Sequence, residues 1–275
     1  MQDTGLHIGA IFIIFAVSAA GTQVPVISKK IPLCRSNSIV MEAISAFSYG
    51  VVIATGLIHM VNEGIEKLSD EALGSIVEDY GSLGLAFVLI TLVVMHLIEY
   101  NSYQVMVPNA SQDSKIRRKI ATVIFEAGVI FHSIIVGIDL GVTEGSKFKT
   151  LLIALCFHQF FEGVAIGTAA LGSIQTRAKL FLVNLAFAIT TPIGQVIGLS
   201  IRNSYSDSSM TSLWVQGVLD CVAGGILLYT GLVELLTYNM TTNQHFLSRS
   251  APQRFTLYFC LWMGAALMAL IGKWS

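Results

Sequence analysis

Two segments near the middle of the chain carry histidine in matching surroundings. Residues 131–141 read FHSIIVGIDLG and residues 157–167 read FHQFFEGVAIG, so that phenylalanine, histidine and two glycines recur 26 residues later. Glu162 follows His158 by one helical turn, which puts an imidazole and a carboxylate on one helix face. These groups suit Zn²⁺, Fe²⁺ or Mn²⁺, whereas Cu⁺ prefers sulfur ligands. We therefore expect His132, His158 and Glu162 to bind a divalent transition metal.

The elements that position these residues are predicted to be membrane-spanning helices. Only 12% of the 275 residues are charged, about half the share of a soluble protein, so that the bilayer must act as the solvent. A spanning helix needs about 20 apolar residues. We predict an all-α integral membrane protein with a single domain, residues 1–275, and eight spans: 6–27, 40–63, 81–103, 118–142, 149–172, 179–201, 213–238 and 255–273.

The distribution of lysine and arginine predicts the orientation in the membrane. Alternate connections hold eleven basic residues, and the opposite side holds five. This bias places both termini outside the cell or in a lumen, and the connection between spans three and four in the cytosol. The sequons at Asn109 and Asn239 then face the cytosol and should be unmodified.

The two histidines are predicted to lie at the same depth. Each is roughly 21 Å from the cytosolic end of its span at 1.5 Å per residue, and the antiparallel spans four and five resemble an inverted pair. A glutamate at that depth costs about 2.5–3.5 kcal/mol, so Glu162 should be paired or coordinating. Asp139, two turns from His132 on the same face, is a further candidate ligand. The alternative is that His132 and His158 merely hydrogen-bond to each other or to the backbone.

Several other polar residues are predicted to lie along the pathway. His59 and Glu63 in span two are candidates for an entrance, and His96 and Glu99 in span three for an exit; capping at the interface is the alternative for both pairs. Costly carboxylates in spans should be paired, and for one of them, Glu126, we favour packing or a cytosolic exit. In span six, Thr190-Thr191-Pro192 could break the helix so that backbone carbonyls meet an ion, although a packing kink is as plausible. In span seven, the remaining candidates are the carboxylates of Asp220 and Glu234. Glycines at positions 137, 141, 163 and 167 should let spans four and five approach closely.

At these motifs the sequence resembles the Zrt/Irt-like (ZIP) metal transporter family, in its fungal and plant branch. The resemblance rests on residues 131–137 and 158–167 and extends to motifs in other spans, namely Gly21-Thr22, Pro25, 54–59, 190–194, 223–229 and Val233-Glu234. It implies an eight-helix transporter that moves Zn²⁺, Fe²⁺ or Mn²⁺ into the cytosol and commonly forms homodimers. It also implies that spans one, four, five and six carry the ion past a scaffold. By motif position, His132, His158 and Glu162 would be metal ligands, with Ser133 and Gln159 lining the site.

This chain departs from the family pattern at several positions. Some relatives have a glutamate where Val136 stands and another where Thr191 stands, and those relatives can bind two ions. Their absence favours a single mononuclear site. Asp139 replaces a residue that is often small and uncharged, and Asn62 replaces a frequent proline. The short connection between spans three and four has no histidine cluster of the kind that many relatives use to sense metal.

We therefore expect a transporter and not an enzyme, with the metal as cargo, zinc first and iron or manganese as alternatives, and with no resident cofactor. We expect the bilayer and the metal ion as partners and no nucleic acid. A metal-binding sensor without flux is an alternative. An intramembrane metallohydrolase is disfavoured because no HExxH motif is present and no spare general base is evident. We expect the plasma membrane, with an organelle membrane as the alternative.

Overall fold

The computed structural model describes residues 2–29, 31, 38–74, 79–106, 113–174, 176–202 and 209–273. In this part of the chain, eight helices are long and apolar enough to cross a membrane and strands are absent. The helices are α1 (Gln2–Ser28), α2 (Ile39–Leu68), α3 (Leu83–Met106), α4 (Asp113–Val142), α5 (Gly145–Ser173), α6 (Arg177–Ile201), α7 (Met210–Thr241) and α8 (Ala251–Ile271). Short helical turns lie at Glu71–Leu73 and Gln244–Leu247. The predicted all-α membrane fold is thus confirmed, while the sequon at Asn109 lies outside the described residues.

Local sequence accounts for where several helices begin. Ser38 and Ser209 precede α2 and α7, and each side chain accepts a hydrogen bond from a backbone N–H of the first turn, which satisfies a donor that has no partner within the helix. At α8, the Gln253 side chain accepts from the Ser250 N–H as part of a capping box. These caps fix the helix ends so that each apolar stretch spans the bilayer.

The helices differ in how much of their surface faces outward. Only 17% of the most apolar window of α8 is buried, against 72% of that of α2. The exposed side chains of α8 are large and apolar, among them Phe255, Phe259 and Trp262. Without a bilayer this surface would be costly to hydrate. The chain is therefore an integral membrane protein with α2 near its centre.

Two of the spanning helices contain π-helical segments. In α2 the segment is Thr55–Val61, and in α7 it is Thr230–Thr241. A π-helical turn has five-residue hydrogen-bond spacing, which rotates the side chains that follow it, and such turns are frequent at functional sites. His59 lies in the first segment and Glu234 in the second.

The glycines of the two matching motifs pack against other helices than the sequence suggested. A Cβ on Gly137 would lie 2.4 Å from the Thr191 carbonyl oxygen of α6, and one on Gly167 would lie 2.6 Å from the Thr22 carbonyl oxygen of α1. The prediction that these glycines bring α4 and α5 together was wrong. Instead α4 packs closely on α6, and α5 on α1. An inverted relationship between α4 and α5 stays a prediction.

Candidate metal centre

Three potential ligands from α4 and α5 converge inside the helix bundle. His132, His158 and Glu162 each offer one ligand atom, and these atoms all lie within 4.8 Å of one another. The imidazole ring centroids of His132 and His158 are 5.9 Å apart, and Nε2 of His132 is 3.6 Å from Oε1 of Glu162. The fold therefore brings together the three residues that the sequence motifs predicted to share one ion.

These groups are buried without the hydrogen bonds that burial normally demands. All three side chains are fully buried, and in the part of the chain that the structure describes, neither the carboxylate oxygens of Glu162 nor the ring nitrogens of His132 have a hydrogen-bond partner. The 3.6 Å between His132 and Glu162 is too long for a hydrogen bond. Leaving such groups unpaired is costly. The alternative in which His132 merely hydrogen-bonds within the protein is not what the structure contains.

Ser133 and Gln159, the residues that follow the two histidines, are also fully buried. Among the described residues, the Ser133 hydroxyl and both polar atoms of the Gln159 amide have no hydrogen-bond partner. Each residue follows one of the candidate histidine ligands in the sequence, and their role in lining the site stays a prediction.

His59 of α2 lies beside this group, deeper than the sequence suggested. Its ring centroid is 5.4 Å from that of His158 and 6.4 Å from that of His132. Nδ1 of His59 is 2.8 Å from Oε1 of Glu63. A carboxylate accepts the Nδ1 proton and so leaves Nε2 as the nitrogen able to coordinate a metal, an arrangement common around bound metals. His59 therefore lies within reach of the candidate ligands, and its predicted role at an entrance stays a prediction.

The structure does not bring Asp139 into this group. Its Oδ2 lies 4.0 Å from Nζ of Lys67, which is itself 2.6 Å from Oδ2 of Asp220 on α7. Asp220 is thus paired, as its depth in span seven predicted. Lys67 could not be predicted as the partner, because the pairing joins residues far apart in the chain.

A cavity of about 470 Å³ opens at the end of the bundle where α1 ends and α2 begins. Ser45 and Tyr49 of α2 and Thr168 of α5 line it, together with Glu42 and His245 nearer the mouth. Thr168 lies less than two turns beyond Glu162 on α5 and is 3.3 Å from the Ser45 hydroxyl. We call this cavity the vestibule. It approaches the metal-ligand group from the side that the charge pattern predicts to be cytosolic.

Two carboxylates of the predicted pathway line further cavities near the vestibule. Glu234 borders a small cavity of about 60 Å³ that shares Thr168 and Asn239 with the vestibule. Glu126 borders another of about 480 Å³, between α4 and α6. Their positions agree with a role near the cytosolic end.

Two other pathway candidates occupy packing positions. The Tyr229 hydroxyl of α7 donates to the Glu99 carboxylate and lies 3.3 Å from Nδ1 of His96, so that His96 and Glu99 connect α3 to α7. Neither His96 nor Glu99 lines any of the three cavities described above. α6 continues as a helix through Pro192, and the Thr191 carbonyl packs against Gly137. The packing interpretation of the span-six motif is therefore favoured over a break that exposes carbonyls to an ion.

Comparison with known proteins agrees with this architecture. The profile described as ZIP Zinc transporter matches residues 4–106 and 102–272. The chain is 32% identical over 287 residues to Zinc transporter 3 of Arabidopsis thaliana, covering 98% of this chain and 84% of that protein. It is 29% identical to Fe(2+) transport protein 1 of the same plant, covering 98% and 86%, and 29% identical to Zinc-regulated transporter 1 of Candida albicans, covering 99% and 62%.

An eight-helix membrane bundle around a buried histidine and glutamate group defines a polytopic membrane protein of the transporter class. The match covers almost the whole chain, and the chain belongs to the ZIP zinc transporter family. Since the similar proteins are named as transporters, it is not an enzyme.

Proposed function

We propose that this protein carries a divalent transition-metal cation across the membrane toward the cytosol, with His132, His158 and Glu162 as its principal ligands. The observation that carries the proposal is that their ligand atoms lie within 4.8 Å of one another in a fully buried position. A buried carboxylate beside two imidazoles is stabilised by a bound cation, and without one it must take up a proton or stay unpaired at a cost.

The geometry supports one ion held by few protein ligands. Zinc sits about 2.0–2.2 Å from nitrogen and oxygen ligands, so tetrahedral ligands around it would be roughly 3.4 Å apart. Small rotations of the three side chains reach that spacing from the distances observed. Three protein ligands leave a coordination position open, which His59 or water can fill and then vacate. A site that holds the ion with three protein ligands and leaves one coordination position open allows the ion to be released.

The vestibule supports release toward the predicted cytosolic side. Thr168 of α5 lies about 9 Å beyond Glu162 at 1.5 Å per residue, and Ser45 and Tyr49 of α2 line the same cavity. Their hydroxyls can replace water around an ion that leaves Glu162. At the mouth, Glu42 is 3.1 Å from His245 and also accepts two hydrogen bonds from Arg249, so its carboxylate is already paired.

We propose zinc as the first cargo, with Fe²⁺ and Mn²⁺ as alternatives, because imidazole and carboxylate accept all three. Similar proteins are named for zinc and for Fe(2+). Among the described residues, one group of this kind is found, which favours one ion at a time. Association into homodimers stays a prediction from the family resemblance.

Uptake of radiolabelled zinc into proteoliposomes tests the proposal. We expect His158→Ala and Glu162→Ala to reduce uptake at least tenfold, while His96→Ala, a span histidine away from the group, retains it. Equal uptake by all four proteins would contradict the proposal. Zinc binding to the wild type without any flux would instead favour a sensor, and competition by iron and manganese would rank the cargo.

A further inference from the structure

Lys67, near the end of α2, lies among three carboxylates from three parts of the bundle. Its Nζ is 2.6 Å from Oδ2 of Asp220, 3.7 Å from Oε2 of Glu63 and 4.0 Å from Oδ2 of Asp139. Asp220 is almost fully buried, and the other side chains are about one-quarter exposed or less. We call these four residues the Lys67 cluster.

The cluster lies at the opposite end of the bundle from the vestibule. Glu42, which lines the vestibule, is in the first turn of α2, whereas Lys67 is in the last. The metal-ligand group lies between them, since His59 of α2 is next to His158. Among the described residues, a cavity thus lies on one side of the metal-ligand group, and a charged contact lies on the other side.

The contacts of Lys67 are of two kinds. Its short bond to Asp220 joins α2 to α7, and the π-helical part of α2 packs closely on α7 through Gly56 and Gly224. Its longer contact to Asp139 reaches α4, the helix that carries His132. The ammonium is therefore anchored on α2 and α7 and touches α4 at the limit of an ion pair.

A buried ion pair is a weak source of stability, because desolvation offsets its attraction. Its directional contacts can instead select one arrangement of helices over another. The Lys67–Asp139 contact exists only while α4 lies against α2 and α7 at this end. It would be lost in any arrangement that separates them to admit an ion.

We propose that Lys67 is a latch that holds the pathway closed at the end opposite the vestibule, by linking Asp139 of α4 to Asp220 of α7. Three carboxylates face one ammonium, so an entering divalent cation is drawn to the same oxygens and competes with Lys67 for Asp139. Arrival of the cargo thereby weakens the latch. This inference rests on the proposed transport function, since a latch has meaning only if both ends open in turn.

Hydrogen–deuterium exchange of the metal-free protein in lipid nanodiscs tests the latch. Asp139→Asn removes the α4 contact and leaves Lys67 bound to Asp220, and Lys67→Met removes both. We expect both variants to speed exchange about two- to fivefold at 62–68 and 137–142, the range that loss of one partly exposed ion pair produces. We expect slower exchange at 41–49 and 168–173, because the vestibule closes when the other end opens.

The opposite signs at the two ends separate a latch from simple loosening. Lys147→Met, at an exposed lysine near the start of α5, is the control and should change neither end. Lys67→Arg should restore the wild-type pattern, and Asp139→Asn should add nothing to Lys67→Met. Unchanged exchange in both variants, or faster exchange at both ends, would overturn the latch. Because this readout needs no moving ion, its failure is distinguishable from a failure of transport.

Discussion

Nε2 of His132 lies 3.6 Å from Oε1 of Glu162, and the two residues come from different helices. Among the described residues, neither atom has a hydrogen-bond partner. Because unpaired buried polar atoms are costly, we propose that a cation binds between them. The predictions below follow from this relationship and from the helices that create it.

Removal of the buried charge at position 162 should weaken binding while it stabilises the metal-free protein. Glu162→Gln keeps the shape of the side chain but loses the anionic ligand, so zinc affinity and uptake should fall at least tenfold. The apparent melting temperature without metal should rise, because an unpaired buried carboxyl group must stay charged or take up a proton, and an amide avoids both costs. Calorimetric titration and thermal unfolding measure the two effects. Tighter zinc binding by the variant would contradict the assignment.

Zinc should stabilise the folded protein through the same residues. Binding to the folded state alone adds about 2.7 kcal/mol when the ligand is at 100 times its Kd. Thermal unfolding of the wild type in detergent should therefore shift upward with zinc and return with a chelator. His132→Ala should lose this shift, whereas His96→Ala should keep it. A full shift in His132→Ala would mean that the ion binds elsewhere.

Glu63 should act through His59. It lies 2.8 Å from His59 Nδ1 and holds the ring with Nε2 able to coordinate, and loss of such a partner typically costs 10- to 100-fold in metal affinity. Glu63→Gln should raise the KM for zinc uptake by about tenfold, with a smaller change in the maximal rate. Glu66→Gln, an exposed neighbour on the same helix, serves as the matched control. Identical KM values for the two variants would remove His59 from the metal centre.

The close packing of α5 on α1 should not tolerate a methyl group. A Cβ on Gly167 would lie 2.6 Å from the Thr22 carbonyl oxygen, and backbone cannot move aside as a side chain can. Gly167→Ala should destabilise the protein by about 1–3 kcal/mol and reduce uptake. Gly172→Ala, on the same helix with nothing within 4 Å of its Cβ, should do neither. Comparable melting temperatures in the two variants would show that the helices are not held this closely.

The sequence predicted the helices and the convergence of the three candidate ligands because both depend on local patterns. Hydropathy marks a span whatever its neighbours are, and His158 and Glu162 share a face by spacing alone. The depth of His59 was misjudged because span two was predicted to end at residue 63, whereas α2 continues to Leu68. A π-helical segment also changes the direction of its side chains.

Contacts between helices could not be read in the same way. The partners of Gly137 and Gly167 depend on which helices are neighbours in space, and a glycine shows only that something comes close. The pairing of Lys67 with Asp220 joins α2 to α7 across most of the chain. Asp139 was assigned to the metal because it shares a face with His132, but that face also meets the ammonium of Lys67.

The most direct test is a structure determined with zinc bound, in which anomalous scattering locates the ion. The account predicts one zinc ion about 2.0–2.2 Å from a nitrogen of His132, a nitrogen of His158 and an oxygen of Glu162, with the signal absent in Glu162→Ala. An ion bound instead among Glu63, Asp139 and Asp220, with the His132 and His158 rings uncoordinated, would contradict it.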